Sequence, residues 1–117
     1  MTVLVVDDSA VIRTRLARLL SELGGLAVEE ASDARTAFES MGRARPDAVV
    51  LDIRLGADSG LQILQAIKRA PAPPLVIMLT NHPTEFHRRW CAQQGADYFF
   101  DKACDLERVL DVLSQPR

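Results

Sequence analysis

Val3-Leu4-Val5-Val6-Asp7-Asp8-Ser9 is the stretch on which the fold turns. Four aliphatic residues without a polar interruption suit a strand covered on both faces, and the two acids behind them mark its abrupt end. Ser9 can cap a helix, whose Ile12, Leu16, Leu19, Leu20 and Leu23 form one apolar face until Gly24-Gly25 stops it. A strand, an acidic turn and an amphipathic helix therefore follow one another within 25 residues.

The same alternation continues to the end of the chain. Further short apolar runs are Ala27 to Ala31, Ala48 to Leu51, Leu75 to Leu79 and Tyr98 to Phe100. Four of the five runs are nearly continuous, whereas Val28-Glu29-Glu30 is mixed and suits a sheet edge. Between them lie segments of helical period. A second helix is expected from about Asp33 to Gly42, with Ala34, Ala37, Phe38 and Met41 inward. A third follows Ser59, with Leu61, Leu64 and Ile67 on one face, and halts before Pro71, Pro73 and Pro74. A fourth starts at Pro83 and ends near Gly95, and a last one carries Leu106, Val109, Leu110 and Leu113, leaving Ser114 to Arg117 beyond it. Strands alternating with helices predict an α/β sandwich on a five-stranded parallel sheet with five helices.

Composition narrows the function. The 117 residues are 48% hydrophobic with a formal net charge of −2, which suits one compact domain spanning 1–117 with no output domain. No segment concentrates Lys or Arg, so direct nucleic-acid binding is not expected. The longest unbroken apolar run is too short to span a membrane, and the N-terminus has no signal-peptide pattern, which predicts a cytoplasmic protein. Cys91 and Cys104 lack metal-ligand spacing and read as reduced thiols, and His82 and His87 read as solvated or loop-packing residues.

The polar residues beside the strands carry the chemistry. Asp7 and Asp8 follow the first run, Asp52 the third and Thr80 the fourth, while Lys102 comes two residues after the fifth. In open parallel sheets ligands bind beyond the carboxyl ends of the strands, so these groups converge on one cleft. Carboxylates held close repel one another, a cost that a hard divalent cation such as Mg²⁺ removes. Mg²⁺ commonly shares its coordination with a phosphoryl oxygen, which leaves a carboxylate to act as nucleophile, Lys102 to neutralise phosphate charge and Thr80 to donate a hydrogen bond.

Through Val5-Val6-Asp7-Asp8-Ser9, Val50-Leu51-Asp52, Gly60, Leu79-Thr80 and Gly95-Ala96-Asp97-Tyr98 to Lys102, the chain resembles the receiver domains of response regulators in two-component, phosphorelay signalling, single-domain chemotaxis regulators among them. The resemblance implies a flavodoxin-like doubly wound sheet of strand order 2-1-3-4-5. It implies that Asp52 becomes a phosphoaspartate, with the phosphoryl group supplied by a sensor histidine kinase or a His-phosphotransfer protein. Mg²⁺ would be held by Asp8 directly, by Asp7 mostly through water, by Asp52 and by the backbone carbonyl of Arg54. A switch would run through Thr80 and Phe99 to the face formed by the fourth helix, fifth strand and fifth helix. That face, with Trp90 and Phe99, would meet a downstream protein target, the chain being a monomer or weak homodimer and not an enzyme toward other substrates.

Departures from the family pattern are local. Ala103 stands after Lys102 where Pro is usual, so a trans bond is expected there. Gly56 replaces a usual Pro and should loosen its loop, Asn81 could narrow the approach to Asp52, and Phe99 lacks the hydroxyl of the more usual Tyr. By alternation, Tyr98 is expected to face the core. Competing readings are a degenerate receiver that binds partners without phosphorylation, a phosphate sink, an aspartate-nucleophile phosphatase and a flavodoxin. The phosphatase would need an Asp-x-Asp arrangement after the first strand, and the flavodoxin a hydroxyl-rich phosphate loop in place of Asp7-Asp8.

Overall fold

The structure, a computed structural model, describes residues 1–81 and 83–115. Strands β1 (Thr2–Val6), β2 (Ala27–Ala31), β3 (Ala48–Leu51), β6 (Leu75–Thr80) and β7 (Tyr98–Asp101) form one sheet ordered β2-β1-β3-β6-β7, every pair parallel. Counting only these strands, the order is the expected 2-1-3-4-5. Helices α1 (Ala10–Glu22), α2 (Ala34–Ala44), α3 (Gly60–Arg69), α4 (Glu85–Gln93) and α5 (Leu106–Ser114) complete the alternation. A small antiparallel hairpin of β4 (Arg54–Leu55) and β5 (Asp58–Ser59) interrupts the connection from β3 to α3, and no sequence pattern announced it.

Strand alternation sorts the core into two layers. Leu4, Val6, Val49, Leu51, Val76 and Met78 pack against Ala37, Ile63, Leu64, Ile67 and Cys91 on the side of α2, α3 and α4. Val3, Val5, Val50, Ile77 and Leu79 pack against Leu16, Leu20, Val109, Val112 and Leu113 on the side of α1 and α5. Both faces of the central strands are thus dry, as their unbroken apolar runs require. The mixed strand β2 lies at the edge.

Several local expectations are corrected. Phe38 is 44% exposed, whereas Ala34, Ala37 and Met41 face the core as expected and Ser40 joins them inside. Leu23 is also exposed, as the residue that ends α1, while Ala17 joins Leu16 and Leu20 inside. Pro83 does not open α4: Thr84 caps it, accepting from the amide of His87 at 3.1 Å, and Glu85 is the first helical residue. A side-chain acceptor satisfies an otherwise orphaned amide, which the ring of Pro83 cannot do. Ser114 is the last residue of α5 rather than the first beyond it, and Pro116, Arg117 and His82 lie outside the described residues. His87 sits on α4, half-buried, with its ring 5.7 Å from that of Phe86. Tyr98 is exposed and stacks on Phe100 at 5.6 Å, so Phe99 and Phe100 are the residues that turn toward the two core layers. No described helix is long and apolar enough to cross a membrane.

Candidate functional site

Asp7 follows the last residue of β1, and Asp52 the last residue of β3. Because Val6 pairs in register with Leu51, the two carboxylates emerge side by side. Ligand oxygens of Asp7, Asp8 and Asp52 all lie within 4.8 Å of one another. Asp7 and Asp52 are buried and Asp8 is exposed, so the group opens to solvent on one side.

Each buried carboxylate is tied down by one oxygen. Oδ1 of Asp7 accepts from the amide of Ser9 at 2.9 Å, and Oδ1 of Asp52 accepts from the amide of Ile53 at 2.7 Å. Their Oδ2 atoms converge on Lys102, whose Nζ stands 2.5 Å from Asp7 and 2.6 Å from Asp52. The side chain of Lys102 is only 5% exposed, so two buried charges of one sign are answered by one of the other. Burial by itself pulls the ammonium pKa down. The hydrogen bonds and charges of Asp52 and Asp7 outweigh it, and Lys102 is held above its ordinary value. The strand β7 runs on through Asp101, so Lys102 follows it directly, and its amide donates to the carbonyl of Thr80 at 2.9 Å. No cis peptide bond occurs among the described residues, as expected for Lys102-Ala103.

Thr80 is the last residue of β6, fully buried, and stands in register with Asp101. It reaches the same sheet edge as the acids, one strand over. Phe99 is half-buried and covered by α4: the guanidinium of Arg88 lies 4.7 Å from the ring centroid, and its Nη1 donates to the carbonyl of Phe99 at 3.2 Å. Asn81 is exposed at the mouth of the β6-to-α4 loop.

The connection after Asp52 turns at Gly56. Gly56 has φ +63° and is the first of two turn residues between β4 and β5, a conformation that a Pro ring cannot adopt and that suits a hairpin turn. Gly60 matters for a different reason. A Cβ there would stand 1.8 Å from the carbonyl oxygen of Asp52, so only glycine lets α3 start against the backbone of Asp52. Arg54, on β4, is exposed.

Sequence reasoning missed two supporting residues. Arg13 on α1 donates from Nη1 to the carbonyl of Asp7 at 2.8 Å and pairs with Glu30 of β2 at 3.2 Å, bracing the first acidic turn. A cation four residues after the capping Ser9 was the available signal, but its partners are remote or backbone. Arg88 was equally invisible, because its target is a ring eleven residues away.

Three oxygen-bearing acids with spare lone pairs, one of them open to solvent, form a donor set of the kind hard divalent cations take. The carboxylate of Asp52, oriented by a backbone amide and facing an ammonium, suits a nucleophile whose product carries added negative charge.

Comparison with known proteins places the chain in a family. The sequence profile of the response regulator receiver domain matches residues 3–114. The response regulator MprA of Mycolicibacterium vanbaalenii is 34% identical over 108 residues, covering 92% of this chain and 46% of its own length. The positive alginate biosynthesis regulatory protein of Pseudomonas aeruginosa is 43% identical over 84 residues, covering 70% of this chain and 34% of the relative. This chain therefore spans less than half the length of either relative. Among solved structures, a response regulator from Burkholderia pseudomallei with a phosphorylated aspartic acid, a calcium ion and citrate superposes with a TM-score of 0.87 at 28% identity, covering 96% of this chain and 65% of that one.

Proposed function

The chain belongs to the response regulator receiver domain family of two-component signalling, and we propose that it accepts a phosphoryl group on Asp52 in a Mg²⁺-dependent reaction. The observation that carries this reading is the bridging of Asp7 and Asp52 by the buried ammonium of Lys102 beside the exposed Asp8. A purely structural ion pair does not need a third carboxylate within 4.8 Å.

In this reading a carboxylate oxygen of Asp52 attacks the phosphorus of a phosphohistidine on a sensor histidine kinase or His-phosphotransfer protein. The phosphorus–nitrogen bond breaks and the imidazole leaves with its electron pair. Asp7, Asp8, Asp52 and the backbone carbonyl of Arg54 would hold Mg²⁺, which when bound neutralises charge on the transferred group. The amide of Ile53 keeps the carboxylate of Asp52 oriented. Lys102 pairs with the charge that arrives on the phosphoryl oxygens, and the hydroxyl of Thr80 donates to one of them. The Burkholderia relative, with its phosphorylated aspartic acid and calcium ion, supports both the modification and a divalent cation.

Movement of Thr80 toward the phosphoryl group passes to Phe99 and then to α4 through Arg88, which grips both the ring and the carbonyl of Phe99. The face of α4, β7 and α5 then meets a downstream protein in the cytoplasm, with the chain a monomer or weak homodimer. The test is incubation with Mg²⁺ and a small phosphodonor followed by intact-mass measurement. Wild type gains one phosphoryl group and Asp52→Ala gains none; equal labelling of the variant overturns the assignment.

A further inference from the structure

The hairpin that carries Arg54 is moored to the start of α2, outside the acidic cluster itself. Leu55, on β4, is buried in the core layer beneath α2 and α3. Asp58, directly across the hairpin from Leu55, therefore shares its inward face. Its Oδ2 accepts from the amide of Ala34, the first residue of α2, at 2.9 Å.

That amide is one that α2 cannot satisfy by itself. Oδ1 of Asp33 takes the amide of Thr36 at 2.9 Å, and Oγ1 of Thr36 takes the amide of Asp33 at 3.3 Å, which closes a capping box. The box leaves the amide of Ala34 without an acceptor from its own turn. Asp58, 24 residues later, fills it with a charged oxygen at the positive end of a helix, a favourable bond for both.

The consequence falls on the acidic cluster. The loop from 53 to 60 is closed at its base by the amide of Gly60 on the carbonyl of Ile53 at 2.6 Å, and it is tethered near its tip by Asp58. Between those points lie Arg54 and Gly56, and a Cβ on Gly56 would be 4.0 Å from Oδ2 of Asp8. We propose that Asp58 is a positioning residue for the divalent-cation site, its bond to Ala34 holding the Arg54–Gly56 segment against Asp8 and Asp52. The proposal rests on the Mg²⁺ reading above. It places a determinant of cation affinity outside the ligand set, on a hairpin that α2 anchors.

Mg²⁺ titration followed by amide NMR tests it, with amide exchange of the metal-free protein as a second readout. Asp58→Ala should weaken Mg²⁺ binding about tenfold, the scale of loss when a residue that orients ligands is removed. It should also speed exchange at Ala34 and at residues 54–57 before any metal is added. Asp58→Asn keeps an oxygen acceptor and should recover most of the affinity. Ala34→Pro removes the donor from the other side, and because proline is well tolerated at the first helical position α2 survives it. Its loss should match that of Asp58→Ala, and combining the two should add nothing further. Wild-type Mg²⁺ affinity in both Asp58→Ala and Ala34→Pro would overturn the positioning role and leave the cation site standing. Failure of the wild-type protein to bind Mg²⁺ would overturn both.

Discussion

The two ends of the sheet use the same residue to opposite effect. At the amino end, Asp47 immediately precedes β3 and Asp97 immediately precedes β7. Oδ2 of Asp47 accepts from the amide of Thr2 at 2.8 Å, and Oδ2 of Asp97 accepts from the amide of Val76 at 2.8 Å and from Lys68 at 2.9 Å. The backbone of each also continues the ladder, through Asp47 on Thr2 and Asp97 on Val76. These carboxylates finish strand pairing where a neighbouring strand has already begun. At the carboxyl end, Asp7 and Asp52 follow their strands, and among the described residues their carboxylates take turn amides rather than strand amides. One oxygen of each goes to an amide in its own turn and the other to Lys102, with Asp8 added beside them. An acid before a strand is consumed by the sheet, and an acid after one keeps acceptor capacity for something else.

The largest test of that contrast is Lys102→Ala. Removing the bridging ammonium leaves two buried carboxylates without an ion-pair partner among the described residues, which should cost about 3 kcal/mol of stability in metal-free urea unfolding. Added Mg²⁺ should recover part of the loss by binding the folded state. The raised pKa of Lys102 fixes the pH dependence. The stability it contributes is fully present below its ordinary value of 10.5 and is lost as pH rises through the higher folded value. A variant as stable as wild type without metal would show that the carboxyl end is no more charged than the amino end.

Asp97→Ala probes the other end with a smaller effect. It strands the amide of Val76 and leaves Lys68 its bond to the carbonyl of Pro74, for a loss of about 2 kcal/mol at the urea midpoint. Mg²⁺ affinity should not change, since Asp97 is at the opposite edge. A weakened Mg²⁺ response would break the separation of roles.

The smallest effect is read from the thiols, one in the core and one on the site loop. Burial pushes the Cys91 thiol up to about 11, and it should resist alkylation in the native protein. Cys104 is exposed just after Lys102, and should be the thiol that labels first. Desolvation, with Asp105 and Asp101 behind it, raises its pKa too, so its labelling rate should climb with pH above the neutral range. Prompt labelling of Cys91 would mean that the α4 side of the core opens.

The alternation of strands and helices was legible because both faces of the central strands are buried, which leaves unbroken apolar runs such as Val3 to Val6 in the sequence. The site acids were legible because each sits within two residues of such a run. Side-chain direction was less so. Tyr98 was read inward by alternation, yet β7 is the last strand of the sheet, where Phe99 and Phe100 cover the two core layers and Tyr98 is left to stack outside. Phe38 misled in the same way: it fits the helical period of α2, but that helix packs close enough through Ala37 and Ser40 that a large ring is turned out.

By itself the sequence determined the order of the five parallel strands and five helices and the residue types at each of those strands' carboxyl ends, because both depend on neighbours along the chain. Only the tertiary structure decided what depends on contacts between distant segments. The register of β1 on β3 puts Asp7 beside Asp52, and β7 delivers Lys102 from 50 residues away to bridge them. Asp58 reaches back 24 residues to finish the cap of α2, and Gly60 is required by a carbonyl eight positions earlier that only the turn into α3 brings near. Hydrogen bonds and steric exclusions act over a few ångströms of space, and separation along the chain says nothing about that distance until the sheet has closed it.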